Sequence, residues 1–337
     1  MQNKVLRNML IPGVVALACV LLPFILIDFK IIKPYAAQIL TLGAVNAIMA
    51  ISVNVVCGVT GQLSLGQAGF QAIGAYAVVL LTSSCHVPLP VSIVLAGLVA
   101  ALFGLIIGFP TLKLEGDYLA IVTLAFGEII RVILVNLKSI TGGPNGMRFL
   151  TFKNSVPAGH GTAVAYLTIV GSLVLIIVLF QNFLRSTYGR AILAVREDPV
   201  AANSNGIFVF RNKMVGFVIA SFIAGVGGAL YAPLIGFIQP KIFDFNASIN
   251  DLIYVVLGGM GSMTGSVLAA FVLTGLQEGL RFLKDYRLLI YPVILIVMML
   301  FRPQGLLGNR EISFVKIWDS IPQLWKKIFA KKTQEVQ

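Results

Sequence analysis

Two acid–base pairs are the residues in this chain best placed for proton chemistry. Glu128 and Arg131 stand three apart in "AFGEIIRVI", and Glu278 and Arg281 repeat the interval in a later apolar run. A carboxylate inside a membrane-spanning helix is costly and usually functional, and an isolated one could relay protons. Here each acid has an arginine on its own helix face, so the pairs read as mutual neutralisation. Other chemistry has little to work with. The only histidines are His86 and His160, both in predicted loops, and Cys19, Cys57 and Cys85 show neither metal-ligand nor pairing spacing. No catalytic set or metal site is expected, and no cofactor. No Gly-rich phosphate loop followed by Lys-Ser or Lys-Thr occurs, so the chain is not its own P-loop motor. Neutral side chains remain: Asn46, Ser52, Asn54, Gln62, Ser64, Gln67, Thr123, Ser262 and Thr264. Amides, hydroxyls and glycines suit a path for a small polar or zwitterionic solute. Hydrogen bonds between helices would explain any one of them equally well.

The elements that carry these residues are lipid-facing helices. Of 337 residues 58% are hydrophobic and only 11% charged, and the mean hydropathy is +0.94, outside the range of soluble domains. The chain therefore reads as an all-α, polytopic integral membrane protein. Apolar runs at 9–27, 35–57, 62–81, 89–109, 118–137, 163–183, 214–235, 252–260, 265–280 and 288–301 give about ten transmembrane helices. Two of the last three are too short to cross if ideal and read as broken or re-entrant. The first run lacks a small-residue cleavage site and reads as a retained anchor. The net charge of +12 sits in loops and at both ends, which points to membrane anchoring rather than nucleic acid. Lys4 and Arg7, the basic residues from Arg185 to Lys213, and the tail lysines share one side for ten spans, so both termini are expected in the cytoplasm. Lys138, Arg148 and Lys153 then fall outside, near "TGGPNG". Residues 1–308 form the expected permease domain. In the tail, 309–337, Phe314, Trp318, Ile321, Trp325 and Phe329 recur at helical spacing opposite lysines, which predicts an amphipathic helix on the cytoplasmic membrane surface or on a partner.

Two segments echo one another. "VVCGVTGQLSLG", from Val55, and "VVLGGMGSMTGS", from Val255, share paired valines followed by glycines, with Gly58 and Gly61 matching Gly258 and Gly261. Glycine-interrupted apolar segments in two halves of a transporter suggest an internal repeat with a pathway at its midplane. Gly58, Gly61, Gly66, Gly258 and Gly261, with Asn54, Gln62, Ser64, Gln67, Ser262 and Thr264, are the candidate path. Close glycine packing between helices is the alternative. Between two apolar blocks lies a polar stretch, 184–213. Pro199 after Glu197 and Asp198 starts a helix and Gly206 stops it, so a short cytoplasmic helix is predicted. Ala201 and Ala202 give it a low surface on which a partner could seat, or it is a solvated connector.

This stretch resembles the coupling loop of permease subunits in bacterial ABC importers, whose Ala-Ala-x-x-x-Gly pattern is met by Ala201, Ala202 and Gly206. The acid that opens the family's Glu-Ala-Ala form is replaced by Val200, with Glu197 three residues earlier. Further segments extend the likeness from Tyr35 to Gly308: "GVTGQLSLGQAGFQAIGAYA", "EGDYLAIVTLAFGEIIR", "TGGPNG", "YGRAILAVREDPVAANSNGI", "VVLGGMGSMTGSVLAA" and "LFRPQGLLG". Together they resemble the branched-chain amino acid ABC permeases of the LivM type. One departure is Gln67, where many relatives place histidine. The resemblance implies an importer of branched-chain or similar hydrophobic amino acids in the bacterial inner membrane. It also implies a second permease subunit on a different chain, two ATPase subunits that bind ATP, and an extracytoplasmic solute-binding protein. Glu197, Asp198, Pro199, Ala201, Ala202 and Gly206 would couple to the ATPase. A sister permease for urea or short amides, or an ion-coupled secondary transporter, fits the same neutral path.

Overall fold

The computed structural model of the chain describes residues 32–149 and 161–301, with 21, 23–29, 151–152, 305–306 and 308. Most of the expected first span at 9–27 and the whole amphipathic tail at 309–337 lie outside the described residues. The described chain is mostly helical. Helix α1 (Pro34–Asn54) starts with proline in its first turn, where the missing N–H is no loss, and is apolar around its whole circumference. Such a helix belongs in the interior, and from Val45 on nearly every side chain is buried. It packs against α5 (Gly161–Arg185), α8 (Val209–Ile235), α9 (Phe245–Gly258) and α10 (Met263–Gly279). Helix α8 is the second post, and against it lie α2 (Gln67–Ser83) and α3 (Leu89–Thr111). Gly97, Ala100, Gly104 and Gly108 line the α3 side of that contact and bring the two backbones close. Helix α4 (Asp117–Asn136) packs on α2 from outside, and α11 (Arg287–Phe301) closes the described chain.

Among the described residues six helices are long and apolar enough to cross a membrane, matching the runs at 35–57, 89–109, 118–137, 163–183, 214–235 and 265–280. Three other expected spans are shorter helices of 17, 14 and 15 residues: α2, α9 and α11. At 1.5 Å per residue the last two reach about 21–23 Å, less than the roughly 30 Å of a hydrocarbon core. The span expected at 62–81 is corrected at its start: residues 62–66 are non-helical, and the helix begins only at Gln67.

The stretch 184–213 holds two helices rather than one. Helix α6 (Thr187–Glu197) is capped by Ser186, whose Oγ accepts from the Gly189 N–H at 3.3 Å, and it buries Ile192 and Val195. Helix α7 (Pro199–Ser204) is capped by Asp198, whose Oδ1 accepts from the N–H groups of Val200 and Ala201 at 2.8 and 3.0 Å. Gly206, with φ of +79°, ends it, and the Ile207 N–H returns to the Ala202 carbonyl. Arg211 and Lys213 already belong to α8. At the opposite end of α8, a two-residue strand β1 (Met147–Arg148) pairs antiparallel with β2 (Phe237–Ile238). This ties the "TGGPNG" loop to the end of the bundle remote from α7.

Candidate functional site: two broken helices that meet

Helix α1 does not stop at Asn54 but widens into a π turn, Val55–Val59. Gly61, with φ of +69°, then turns the chain into the non-helical run that leads to α2. Helix α9 likewise ends at Gly258, and Gly259 and Gly261, with φ of +107° and +93°, turn the chain into α10. Ser262 caps α10, its Oγ accepting from the Gly265 N–H at 3.1 Å, and lies 3.4 Å from Thr264 Oγ1. The two glycine-interrupted segments therefore break at corresponding positions, and they touch. Asn54 Oδ1 accepts from the Gly261 N–H at 2.8 Å. A Cβ on Gly58 would fall 2.4 Å from the Gly261 nitrogen, so only glycine allows this approach.

The first break holds most of the polar residues. Thr60 donates to the Val56 carbonyl at 2.7 Å and to Gln62 Oε1 at 3.2 Å. Leu65 N–H donates to Thr123 Oγ1 at 3.1 Å, which docks the non-helical run beside Gly66 onto α4. Ser52 Oγ donates to Gln67 Oε1 at 3.1 Å and to the Ala220 carbonyl at 2.8 Å, joining three elements at one point. Asn54 Nδ2, Ser64 Oγ and Gln67 Nε2 are buried and have no hydrogen-bond partner. Buried polar groups are almost always paired. Three unsatisfied ones lie along one break.

The fold gathers Asn54, Gly58, Gly61, Gln62, Ser64, Gly66, Gln67, Gly258, Gly261, Ser262 and Thr264 at the two breaks. It places Asn46 elsewhere, donating to Thr274 Oγ1 at 2.9 Å on α10. Arg131 Nε meets Glu128 Oε2 at 2.7 Å, with both side chains about one-third exposed on α4. Arg281 meets Glu278 at 2.9 Å, and Tyr35 joins that pair through its hydroxyl. Glu197, Asp198, Pro199, Ala201 and Gly206 form the exposed end of α6 and α7. Ala202 is buried against the bundle, so the low surface expected from both alanines is narrower: the outward residues are Val200, 76% exposed, and Ala201, with Phe208 beyond at 71%.

Two residues stand out that sequence reasoning did not place. Arg196, read only as a marker of sidedness, reaches from α6 to both breaks. A Cβ added to Gly61 would fall 3.1 Å from its Cγ, and one added to Gly261 would fall 3.0 Å from its Nη1. A guanidinium beside the carboxyl ends of two helices is favoured by their dipoles. Asp251, read as the boundary of a span, is 7% exposed inside α9. Nothing local in "NDLIYVV" signals that burial.

The arrangement has no nucleophile with an adjacent base; it offers neutral hydrogen-bonding groups at paired helix breaks inside a polytopic helical bundle. That defines a multi-pass membrane permease. The family model described as branched-chain amino acid transport system / permease component matches residues 35–301, and the chain belongs to that family. The high-affinity branched-chain amino acid transport system permease protein LivM of Salmonella typhimurium is 40% identical over 296 residues, 81% of this chain and 70% of the relative. LivM of Escherichia coli is 40% identical over 294 residues, 80% of this chain and 69% of the relative. The permease protein LivH of Escherichia coli is 27% identical over 296 residues, 82% of this chain and 95% of the relative. These relatives are transport permease proteins rather than enzymes. No solved structure matches the chain.

Proposed function

We propose that the chain is one permease subunit of an ABC importer that moves branched-chain amino acids across the bacterial inner membrane. A second permease of the kind typified by LivH completes the path. Two separate ATPase subunits bind ATP and drive it, and an extracytoplasmic binding protein supplies the solute. Both termini face the cytoplasm, about ten spans cross the bilayer, residues 1–308 carry the path, and the tail at 309–337 lies on the cytoplasmic membrane surface. The two breaks are the midplane turns of an internal repeat. The observation that carries this reading is the contact of Arg196 with both breaks from the helix pair α6–α7. It gives a cytoplasmic motor a direct mechanical route to the path. Val200, Ala201 and Phe208 present an apolar edge to an ATPase cleft, while Asp198 and Gly206 fix the length of α7. Closing of the ATPases on ATP displaces α7, and Arg196 carries the displacement to Gly61 and Gly261.

Mild-detergent purification of the tagged chain from its native membranes tests this reading. Recovery of P-loop ATPases and a second polytopic permease, with ATP-dependent leucine uptake after reconstitution, is the expected result. Recovery of this chain alone, able to move solute without ATP and sensitive to uncouplers, overturns it in favour of an ion-coupled carrier.

A further inference from the structure

Among the described residues Asp251 is the buried acidic side chain, and its Oδ2 has no hydrogen-bond partner. An unpaired carboxylate oxygen inside a bundle is destabilising unless something of opposite character comes to it. One turn earlier on α9, Ser248 Oγ accepts from the Ala68 N–H at 3.3 Å, which places this face of α9 against the first turn of α2. Beside Ala68 is Gln67, 1% exposed. Its carbonyl oxygen is held by Ser52, and its Nε2 is unpartnered. Gly66 supplies no side-chain cap at the start of α2, and of the first N–H groups Ala68 meets Ser248 and Gly69 the Gly66 carbonyl. The Ser52 hydroxyl also reaches Ala220, the twelfth of 27 residues in α8, so this cluster sits near the middle of the bundle's thickness.

A free acceptor on α9 and a free donor at the positive end of α2, on two helices joined by the Ser248–Ala68 bond, are complementary to a zwitterion. An ammonium needs a carboxylate. A carboxylate is met by amide N–H groups and a helix N-terminus. We propose that Asp251 receives the ammonium, and the Gln67 side-chain amide at the positive end of α2 the carboxylate, of an α-amino acid crossing the permease. This deepens the importer reading above and rests on it. The neutral breaks alone do not discriminate an amino acid from urea; a pair of opposite-sense groups does. Recognition here is of the head group, which all α-amino acids share, and leaves the side chain to other surfaces.

The test uses the reconstituted permease–ATPase complex, fed by loaded binding protein, with D251N and Q67L beside the wild type. ATP-driven uptake of labelled leucine falls about tenfold or more in each variant, the loss of one charge-assisted hydrogen bond, while ATP hydrolysis and subunit assembly persist. In parallel, leucine raises the melting temperature of the wild-type complex, whereas 4-methylpentanoate, which lacks the amine, and 3-methylbutylamine, which lacks the carboxylate, do not. Wild-type uptake by both variants, or protection by 4-methylpentanoate equal to that by leucine, overturns the site. If D251N does not assemble, Q67L and the analogue series decide alone. Absence of ATP-driven leucine uptake by the wild type overturns the importer reading instead, and the site with it.

Discussion

Gly58→Ala perturbs the contact between the two helix breaks, and its effect follows from distances at that point. The added Cβ falls 1.9 Å from Asn54 Oδ1 and 2.4 Å from the Gly261 nitrogen, where ordinary contacts begin at 3.4 Å. The Asn54 side chain can rotate away, but it then gives up its 2.8 Å bond to the Gly261 N–H. Leaving that buried N–H unpaired costs about 1–3 kcal/mol. The backbone of Gly261 cannot rotate away, so α1 and the turn before α10 separate by about 1 Å, an overpacking cost of about 1–3 kcal/mol. The expected loss is thus about 2–6 kcal/mol. Thermal unfolding of the purified protein measures it, with Gly171→Ala as control, since a Cβ on Gly171 meets nothing within 4 Å. Asn54→Ala separates the two contributions. In that background Gly58→Ala keeps the backbone clash but has no hydrogen bond left to break, and the double-mutant cycle returns a coupling energy of about 1–3 kcal/mol. If Gly58→Ala melts with the control, the two breaks do not meet as described.

Asp198→Ala removes the acceptor of two N–H groups at the start of α7, costs about 1 kcal/mol locally, and lowers recovery of ATPase subunits in a pull-down without changing the melting of the bundle. Arg196→Met keeps an apolar stem against Gly61 but discharges the two helix ends; ATP hydrolysis by the complex persists and leucine uptake drops, whereas unchanged uptake would show the guanidinium to be passive. Glu128→Gln opens a pair that is one-third exposed and changes stability by less than about 1 kcal/mol, with uptake intact; lost uptake would restore a proton relay on α4. Gly206→Val meets open space but forces a β-branched residue to a φ of +79°, costing about 1–2 kcal/mol at the end of α7. The protein inserts normally and transport falls; normal transport would deny α7 a coupling role.

Gly58, Gly61, Gly258 and Gly261 were legible because glycines in an apolar run stand out and repeat at equal offsets. That the runs touch was not, since the Asn54–Gly261 bond joins residues 207 apart in sequence, and no local preference encodes such a pairing. Most long helices could be read from hydropathy alone. Helix α6 was missed for a physical reason: "TYGRAILAVRE" is amphipathic but charged, and a hydropathy threshold sees only a connector. The start of α2 was placed five residues early because Gln62–Gly66 continues an apolar stretch, whereas Gly61 in the left-handed region had already ended the preceding helix. Asp251 misled in the opposite sense. A carboxylate at the edge of an apolar run reads as an interface marker, and only the docking of Ser248 on Ala68 turns it inward.

Arg196 lies beside Gly61 and Gly261, so a single side chain borders both breaks. A pore that must never stand open at both ends needs its two halves to change together, and two independent latches could slip out of phase. One shared latch cannot. In the importer proposed above, the arginine would act as an interlock: displacing it would disturb both turns at once, which would keep solute movement tied to the stroke and the bilayer sealed between strokes.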